Sequence, residues 1–183
     1  MTLQTGRLTY AEYLESPETK QRYEIVDGKI IMPPSPTSAD QRLLRQTSKL
    51  LDRFVSENKL GEVFFAPLDV VIQREPLRTR QPDLLFVSNA KSAIIGQIIE
   101  GAPDLVVEIL SLGNTRANME EKLEDYSRLG VSECWLVSPE ARSVEVLELV
   151  EGALQRLSIC GLGDNVQSAV LTGLALTVRE LFE

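Results

Sequence analysis

The chain has no histidine in its 183 residues, and that absence removes a large part of enzyme chemistry. Ser-His-Asp triads, histidine-liganded zinc and imidazole general bases are excluded, so proton or metal chemistry must rest on carboxylates, lysines and water. Cysteine is nearly absent too: Cys134 and Cys160 are the two. Neither has cysteine or histidine neighbours at metal-ligand spacing, and both lie in apolar, strand-like surroundings where a free thiol behaves as a small buried hydrophobe. No apolar run approaches the ~20 residues of a membrane helix. Residues 1–13 lack the basic flank and apolar core of a signal peptide, so the expectation is a cytoplasmic protein.

Positive charge is also scarce. Nineteen Lys and Arg face 27 Asp and Glu, a net charge of −8. Such an excess of acid counts against a broad electrostatic grip on nucleic acid; contact would need a local basic patch or a metal bridge. Arg74, Arg78 and Arg80 form the one tight basic cluster, on what reads as a loop. What the chain does have is an ordinary globular composition, 43% hydrophobic and 25% charged, and a length that fits one domain over residues 1–183 with a proper core.

Local patterns predict an alternating α/β chain. A short helix is expected over residues 8–15 behind the cap Thr9, then a hairpin over 23–31 turning at Asp27-Gly28. The proline-rich stretch 32–37 must be a loop. A helix from Ser38 or Asp40 to Asn58 places Leu43, Leu44, Thr47, Leu50, Leu51, Phe54 and Val55 on one face. Strands are expected at 62–66, 68–73, 83–87, 105–110 and 133–137. Residues 88–99 read as helix or loop, and a helix opens at Asn114 or Thr115 and runs to Leu129. A hairpin at 143–160 turns at Glu151-Gly152, and a short helix closes the chain at 177–182. The apolar stretch 166–176 is a candidate interface.

Two carboxylates stand where charge is resisted. Glu108 interrupts Leu105-Val106-Val107-Glu108-Ile109-Leu110, a run that reads as a central strand. A carboxylate there is costly unless paired, hydrogen-bonded or bound to a metal. Asp83 opens another apolar strand after Pro82. On neighbouring strands the two can converge on one cation, and hard oxygen ligands suit Mg²⁺ or Mn²⁺. Singly, each has a plainer reading: Asp83 as a turn former, Glu108 as the partner of an arginine. Lys122 sits four residues before Tyr126 on one helix face, bordering the stripe of Met119, Leu123 and Tyr126. A helical lysine taken alone is an ordinary surface residue. Glu24, in the first hairpin, reads as a cross-strand partner for Lys29.

Pro82-Asp83, Val107-Glu108-Ile109-Leu110-Ser111, the helix bearing Glu121-Lys122-Leu123-Glu124-Asp125-Tyr126, and Gly130-Val131-Ser132-Glu133-Cys134-Trp135-Leu136-Val137 together resemble the bacterial "putative restriction endonuclease" family of the PD-(D/E)XK nuclease superfamily. The resemblance runs from Tyr10 to about Pro139. It implies a restriction-endonuclease-like α/β (α+β) core, a mixed sheet of four or five strands flanked by helices, here with N-terminal and C-terminal hairpins. It assigns Asp83 as the motif aspartate and Glu108 as the motif acid. Leu110 occupies the superfamily's usual lysine position, and the lysine moves to the next helix as Lys122. Glu24 matches an acidic residue that completes the metal site. The chain departs from the pattern at Asp40, where relatives often carry histidine, in the segment Ser111-Leu112-Gly113-Asn114-Thr115, and at Asn118.

The implied function is a Mg²⁺- or Mn²⁺-dependent endonuclease acting on DNA, working as a homodimer or higher homo-oligomer. The metal would lie on Asp83, Glu108 and Glu24, and Lys122 would orient or activate water. Two alternatives use the same chain: a catalytically silent nuclease-fold binding or regulatory module, motivated by the charge of −8 and the acidic helix, and hydrolysis of another phosphate ester by the same residues.

Overall fold

The computed structural model of the chain describes residues 7–17, 21–111 and 116–183. Helix α1 (Tyr10–Leu14) starts at Thr9, whose side chain and that of Glu12 cap each other's backbone amides. Strands β1 (Glu24–Val26) and β2 (Lys29–Ile31) form the expected hairpin. Asp27 and Gly28 both adopt positive φ, 51° and 76°, as a two-residue turn matched to strand twist requires. A Cβ on Gly28 would also lie 2.7 Å from that of Arg7. The register pairs Val26, not Glu24, with Lys29, so the side chain of Glu24 is left for other partners.

Helix α2 (Ser38–Asn58) follows the proline loop. It buries Leu43, Thr47, Leu50, Leu51 and Val55, with Leu44 and Phe54 partly buried against the same core. Thr37 caps it: its hydroxyl accepts from the Asp40 amide, while the Asp40 carboxylate accepts from the Thr37 amide and hydroxyl. Replacing Thr37 by Ala should cost about 1 kcal/mol, read as a lower urea midpoint with an unchanged slope.

The remaining elements are β3 (Gly61–Phe65), β4 (Val70–Arg74), β5 (Leu77–Arg80), β6 (Leu84–Ser88), a 3₁₀ turn (Asn89–Ile94), β7 (Leu105–Ile109), α3 (Arg116–Leu129), β8 (Glu133–Ser138), β9 (Ser143–Val150), β10 (Ala153–Cys160), β11 (Asn165–Val166), β12 (Leu176–Thr177) and α4 (Val178–Phe182). The expected start of α3 at Asn114 or Thr115, like Leu112 and Gly113, lies outside the described residues. Six strands form the main sheet, in the order β10-β9-β8-β7-β6-β3. That is more than the four or five expected, because the C-terminal hairpin joins the sheet. All pairings are antiparallel except β7 with β8, which are parallel and joined through α3. A second, four-stranded sheet runs β2-β1-β5-β4.

Alternation along the strands divides the interior. Leu84, Phe86, Leu105, Val107, Ile109, Trp135 and Val137 face α2 and the C-terminal segment. Leu85, Val87, Val106, Cys134 and Leu136 face α3, with Met119 and Tyr126. Both cysteines are free and buried, as expected. Two expectations change. The segment around Arg78 is strand β5 rather than loop. Val166, Leu171 and Leu176 of the supposed interface stretch are buried in the core; once β11 and β12 pair, their side chains have an internal surface to cover. Among the described residues no helix is long and apolar enough to cross a membrane.

Candidate active site

Side chains alternate across a strand, so Glu108 takes the parity of Val106 and points at α3. There it is 1% exposed. Helix α3 answers it with two residues one turn apart. Lys122 Nζ donates to both carboxylate oxygens, at 3.1 and 3.0 Å, and the Tyr126 hydroxyl donates to Oε1 at 2.5 Å. The same ammonium contacts Glu24 Oε1 at 2.9 Å. Lys122 therefore bridges the acid of β7 and the acid of the N-terminal hairpin.

Asp83 sits just before β6. Its Oδ2 accepts the amide of Ile109 at 2.7 Å, which fixes it beside β7. Its Oδ1 accepts Nη1 of Arg22 at 2.7 Å, and Nη2 of Arg22 reaches the Gln81 carbonyl at 2.6 Å. Asp83, Glu108, Lys122 and Arg22 line one cavity of about 60 Å³, with Asp40, Ser111 and the proline loop at its wall. Glu24 is not among the lining residues. Besides Lys122, its oxygens take Arg80 Nη1 at 2.9 Å and the Gln81 amide at 3.3 Å.

A layer of ion pairs supports these groups. Arg80, 3% exposed, also donates to Asp125 at 2.7 Å, and Arg78 joins Asp27, Glu121 and Asp125. Of the three arginines expected on a solvated loop, Arg78 and Arg80 share one face of β5 and are counter-charges of the acidic helix, while Arg74 stays exposed and pairs with Glu100. An Arg-Thr-Arg alternation was the available signal, since it has the period of a strand. Nothing local marked Arg22, whose partner is 61 positions away.

The electrostatics follow from burial and neighbours. Burial pushes the Glu108 carboxyl above its usual range; Asp83 and Glu24 push the same way, and Lys122 and Tyr126 only partly offset them. For Lys122, burial favours the neutral amine, but Glu108 and Glu24 outweigh it and hold the ammonium above its ordinary pKa. Burial resists charge on Glu24, yet Lys122 and Arg80 prevail and hold its carboxyl low. Burial and Glu108 drive the Tyr126 phenol far up, so it stays a donor. These two acids thus favour the charged, hydrogen-bond-donating form of Lys122.

Mg²⁺ is commonly held by one or two carboxylates, with water and phosphate oxygens completing the shell. Asp83 and Glu108 fit that donor set: both are hard oxygen ligands, and both open onto the same cavity. Among the described residues no group of three His, Cys, Asp or Glu side chains is placed to hold a metal ion. The buried Asp-Glu pair with its lysine is a donor set that could hold one divalent cation. The family model "Putative restriction endonuclease" (Uma2) matches residues 10–179. The chain belongs to this family. A solved structure of a family-like protein, described as a putative nuclease belonging to DUF820 from Anabaena variabilis ATCC 29413, superposes with a TM-score of 0.79 over 96% of this chain and 97% of that one. Its 22% identity makes that likeness one of fold. No curated protein matches the chain. The family match covers every element that builds the cavity, from α1 through β9 and on into α4.

Proposed function

We propose that this family member is a divalent-metal-dependent endonuclease that hydrolyses phosphodiester bonds of DNA. The observation that carries the reading is Glu108, a carboxylate 1% exposed that shares a cavity with Asp83 and Lys122. Asp83 and Glu108 would hold Mg²⁺ or Mn²⁺. When bound, the cation supplies Lewis-acid stabilisation of the charge that develops on a phosphoryl oxygen. Lys122, held as the ammonium, orients the attacking water by hydrogen bonding and offsets negative charge in the transition state. Tyr126 fixes the Glu108 carboxylate. Glu24, the third acid of the proposed site, acts at one remove: it holds Lys122, and direct ligation would oblige it to release Lys122 or Arg80. Cutting both strands calls for two such sites, so a homodimer is part of the proposal.

Arg22 occupies the free oxygen of Asp83 that an incoming cation would need. Displaced, its guanidinium offers a fork suited to phosphate. Arg22→Met should therefore bind Mn²⁺ about tenfold more tightly by calorimetry, roughly 1.4 kcal/mol, while cleaving plasmid DNA more slowly than wild type. A loss of structure would weaken both, so opposite signs are the signature. If wild type binds no divalent ion at millimolar concentration, the silent binding module becomes the better account.

A further inference from the structure

The outer face of α2 carries positive charge against the grain of an acidic chain. Arg42, Arg45, Lys49 and Arg53 follow one another at steps of three and four residues, so they form one stripe along the helix. All four are exposed, on the side away from the buried Leu43, Leu50, Leu51 and Val55. Exposed helix faces ordinarily interleave both signs, as Arg116 and Glu120 do on α3. Here, among the described residues, no carboxylate forms an ion pair with any of the four. Two acids of the neighbourhood are engaged as helix caps: Asp40 accepts from Thr37, and Glu180 accepts from Thr177. Asp52 and Glu57, exposed on the same helix, offset the stripe in part and leave it net positive. Arg22, Arg78, Arg80 and Lys122, by contrast, are already neutralised by carboxylates. The stripe on α2 is what the fold leaves for an anion from outside.

Its position ties it to the reactive cavity. Asp40, Gln41 and Leu44 of the same helix line that cavity. A wider recess of about 810 Å³ borders it, and the two share Pro34, Asp40 and Ser111. The recess in turn shares Ala39 with a groove of about 250 Å³ between α2 and α4, where Arg42 and Arg45 are in the wall. Gln46 fastens α4 at this groove by donating to the Glu180 carbonyl at 2.9 Å. Phe182 lines the α4 side, and the Arg142 guanidinium lies 5.6 Å over its ring, so a further arginine stands across from the stripe. The recess has Asp40 and Glu140 in its wall and no cation. A grip on phosphate therefore starts at Arg42.

We infer that the exposed face of α2 is the docking surface for the phosphate backbone of duplex DNA to one side of the cleavage position, with Arg42, Arg45, Lys49 and Arg53 neutralising phosphates. Naming DNA, rather than another polyanion, rests on the nuclease reading above. Length and chemistry support it. From Arg42 to Arg53 the helix rises about 16 Å at ~1.5 Å per residue, which matches about five phosphates of one strand at ~3.4 Å each. All but Lys49 are arginines, whose planar fork suits phosphate oxygens. Confining the contact to one stripe also reconciles phosphate binding with a net charge of −8. The rest of the chain is net acidic and favours approach by this face alone.

The test uses the full chain in EDTA, so that no cleavage occurs, and a fluorescein-labelled DNA duplex. Anisotropy titrations from about 50 to about 200 mM KCl should show log Kd rising with log[KCl] at a slope of about 3 to 4, as about four neutralised phosphates require. Arg42→Gln, Arg45→Gln and Lys49→Gln should each lower that slope by about 1. The triple variant should bind at least ~10-fold more weakly at the lowest salt, with the urea midpoint of wild type. Lys29→Gln, at an exposed cation on β2, should leave slope and affinity unchanged. An unchanged slope in the triple variant, or an equal fall in Lys29→Gln, would overturn the assignment. So would sedimentation with phosphatidylserine vesicles by a protein that binds no duplex. Cleavage of DNA by wild type together with an unchanged slope in the triple variant would refute the surface alone. A slope that falls with each substitution, in a protein that cleaves no DNA with Mg²⁺ or Mn²⁺, would uphold the surface and refute the nuclease reading.

Discussion

Glu108→Gln should abolish divalent-ion binding and reduce DNA cleavage by at least ~10³-fold, about 4 kcal/mol of transition-state stabilisation, without weakening the fold at neutral pH. The two halves of that expectation have one origin. Glu108 is a carboxylate whose pKa is raised by burial, Asp83 and Glu24 against the pull of Lys122 and Tyr126. A folded pKa above the unfolded value means that the native state holds the proton more tightly. Its contribution to stability is then present below the unfolded pKa, about 4.3 for Glu, and is lost as pH rises through the folded value. Glutamine cannot ionise, so that loss disappears. Lys122 keeps Glu24 at 2.9 Å and is not left as a lone buried charge. Urea unfolding between pH 5 and 8 should show a variant as stable as wild type or more so, with a flatter dependence on pH at this end. Retained cleavage by Glu108→Gln would sink the metal-site assignment, whereas a variant that is inactive because it is unfolded would sink the electrostatic argument.

Glu108 was legible in the sequence because it breaks a rule: an apolar run of six residues, Leu105 to Leu110, that reads as a central strand tolerates no idle carboxylate. Lys122 was legible only in the context of the two acids and the family resemblance, since a helical lysine alone is an ordinary surface residue, and the structure brings it and Tyr126 to Glu108. Arg80 was hidden by a sound habit of reading. Three arginines in seven residues look solvated, as Arg74 is, and only the register of β5 beside β1, with Ile25 opposite Thr79, shows that Arg78 and Arg80 are enclosed. Arg22 and Gln81 carry no local signal at all, since what makes them notable is a contact made by tertiary packing. The elements followed their periodicity well, as the start of α2 at Ser38 and the turn at Asp27-Gly28 show. The sheet order did not, because strand pairing depends on partners distant in the chain. The C-terminal residues 166–176 were misjudged because an apolar stretch looks the same whether it covers its own core or another molecule's surface.

Glu133→Ala should cost about 4 kcal/mol of stability, a fall in Tm of about 8–16 °C for a domain of this size, while cleavage per folded molecule stays unchanged. In sequence Glu133 and Glu108 look alike, each a lone acid on an apolar strand. Their surroundings differ in kind. Glu133 is 0% exposed and lies at the opening end of β8, opposite Leu105, on the face of the sheet away from α3. Its donors are all neutral: Trp135 Nε1 and Ser168 Oγ at 2.7 Å on one oxygen, and the amides of Ala169 at 2.8 Å and Val170 at 3.3 Å on the other. This carboxylate is a clasp that fastens the C-terminal segment to the main sheet. Truncation strands several buried donors at once, each worth ~1–3 kcal/mol when left unpaired. Glu133→Gln keeps the shape but turns an amide NH2 toward a donor, so its cost should be intermediate. Glu108, in contrast, is held by a cation at the end of a long side chain and opens onto a cavity, the condition under which a buried charge can exchange its partner for a substrate or a metal. An Ala variant at Glu133 that unfolds within 1 kcal/mol of wild type, or a folded Gln variant that has lost cleavage, would show that the distinction between the two acids was drawn in the wrong place.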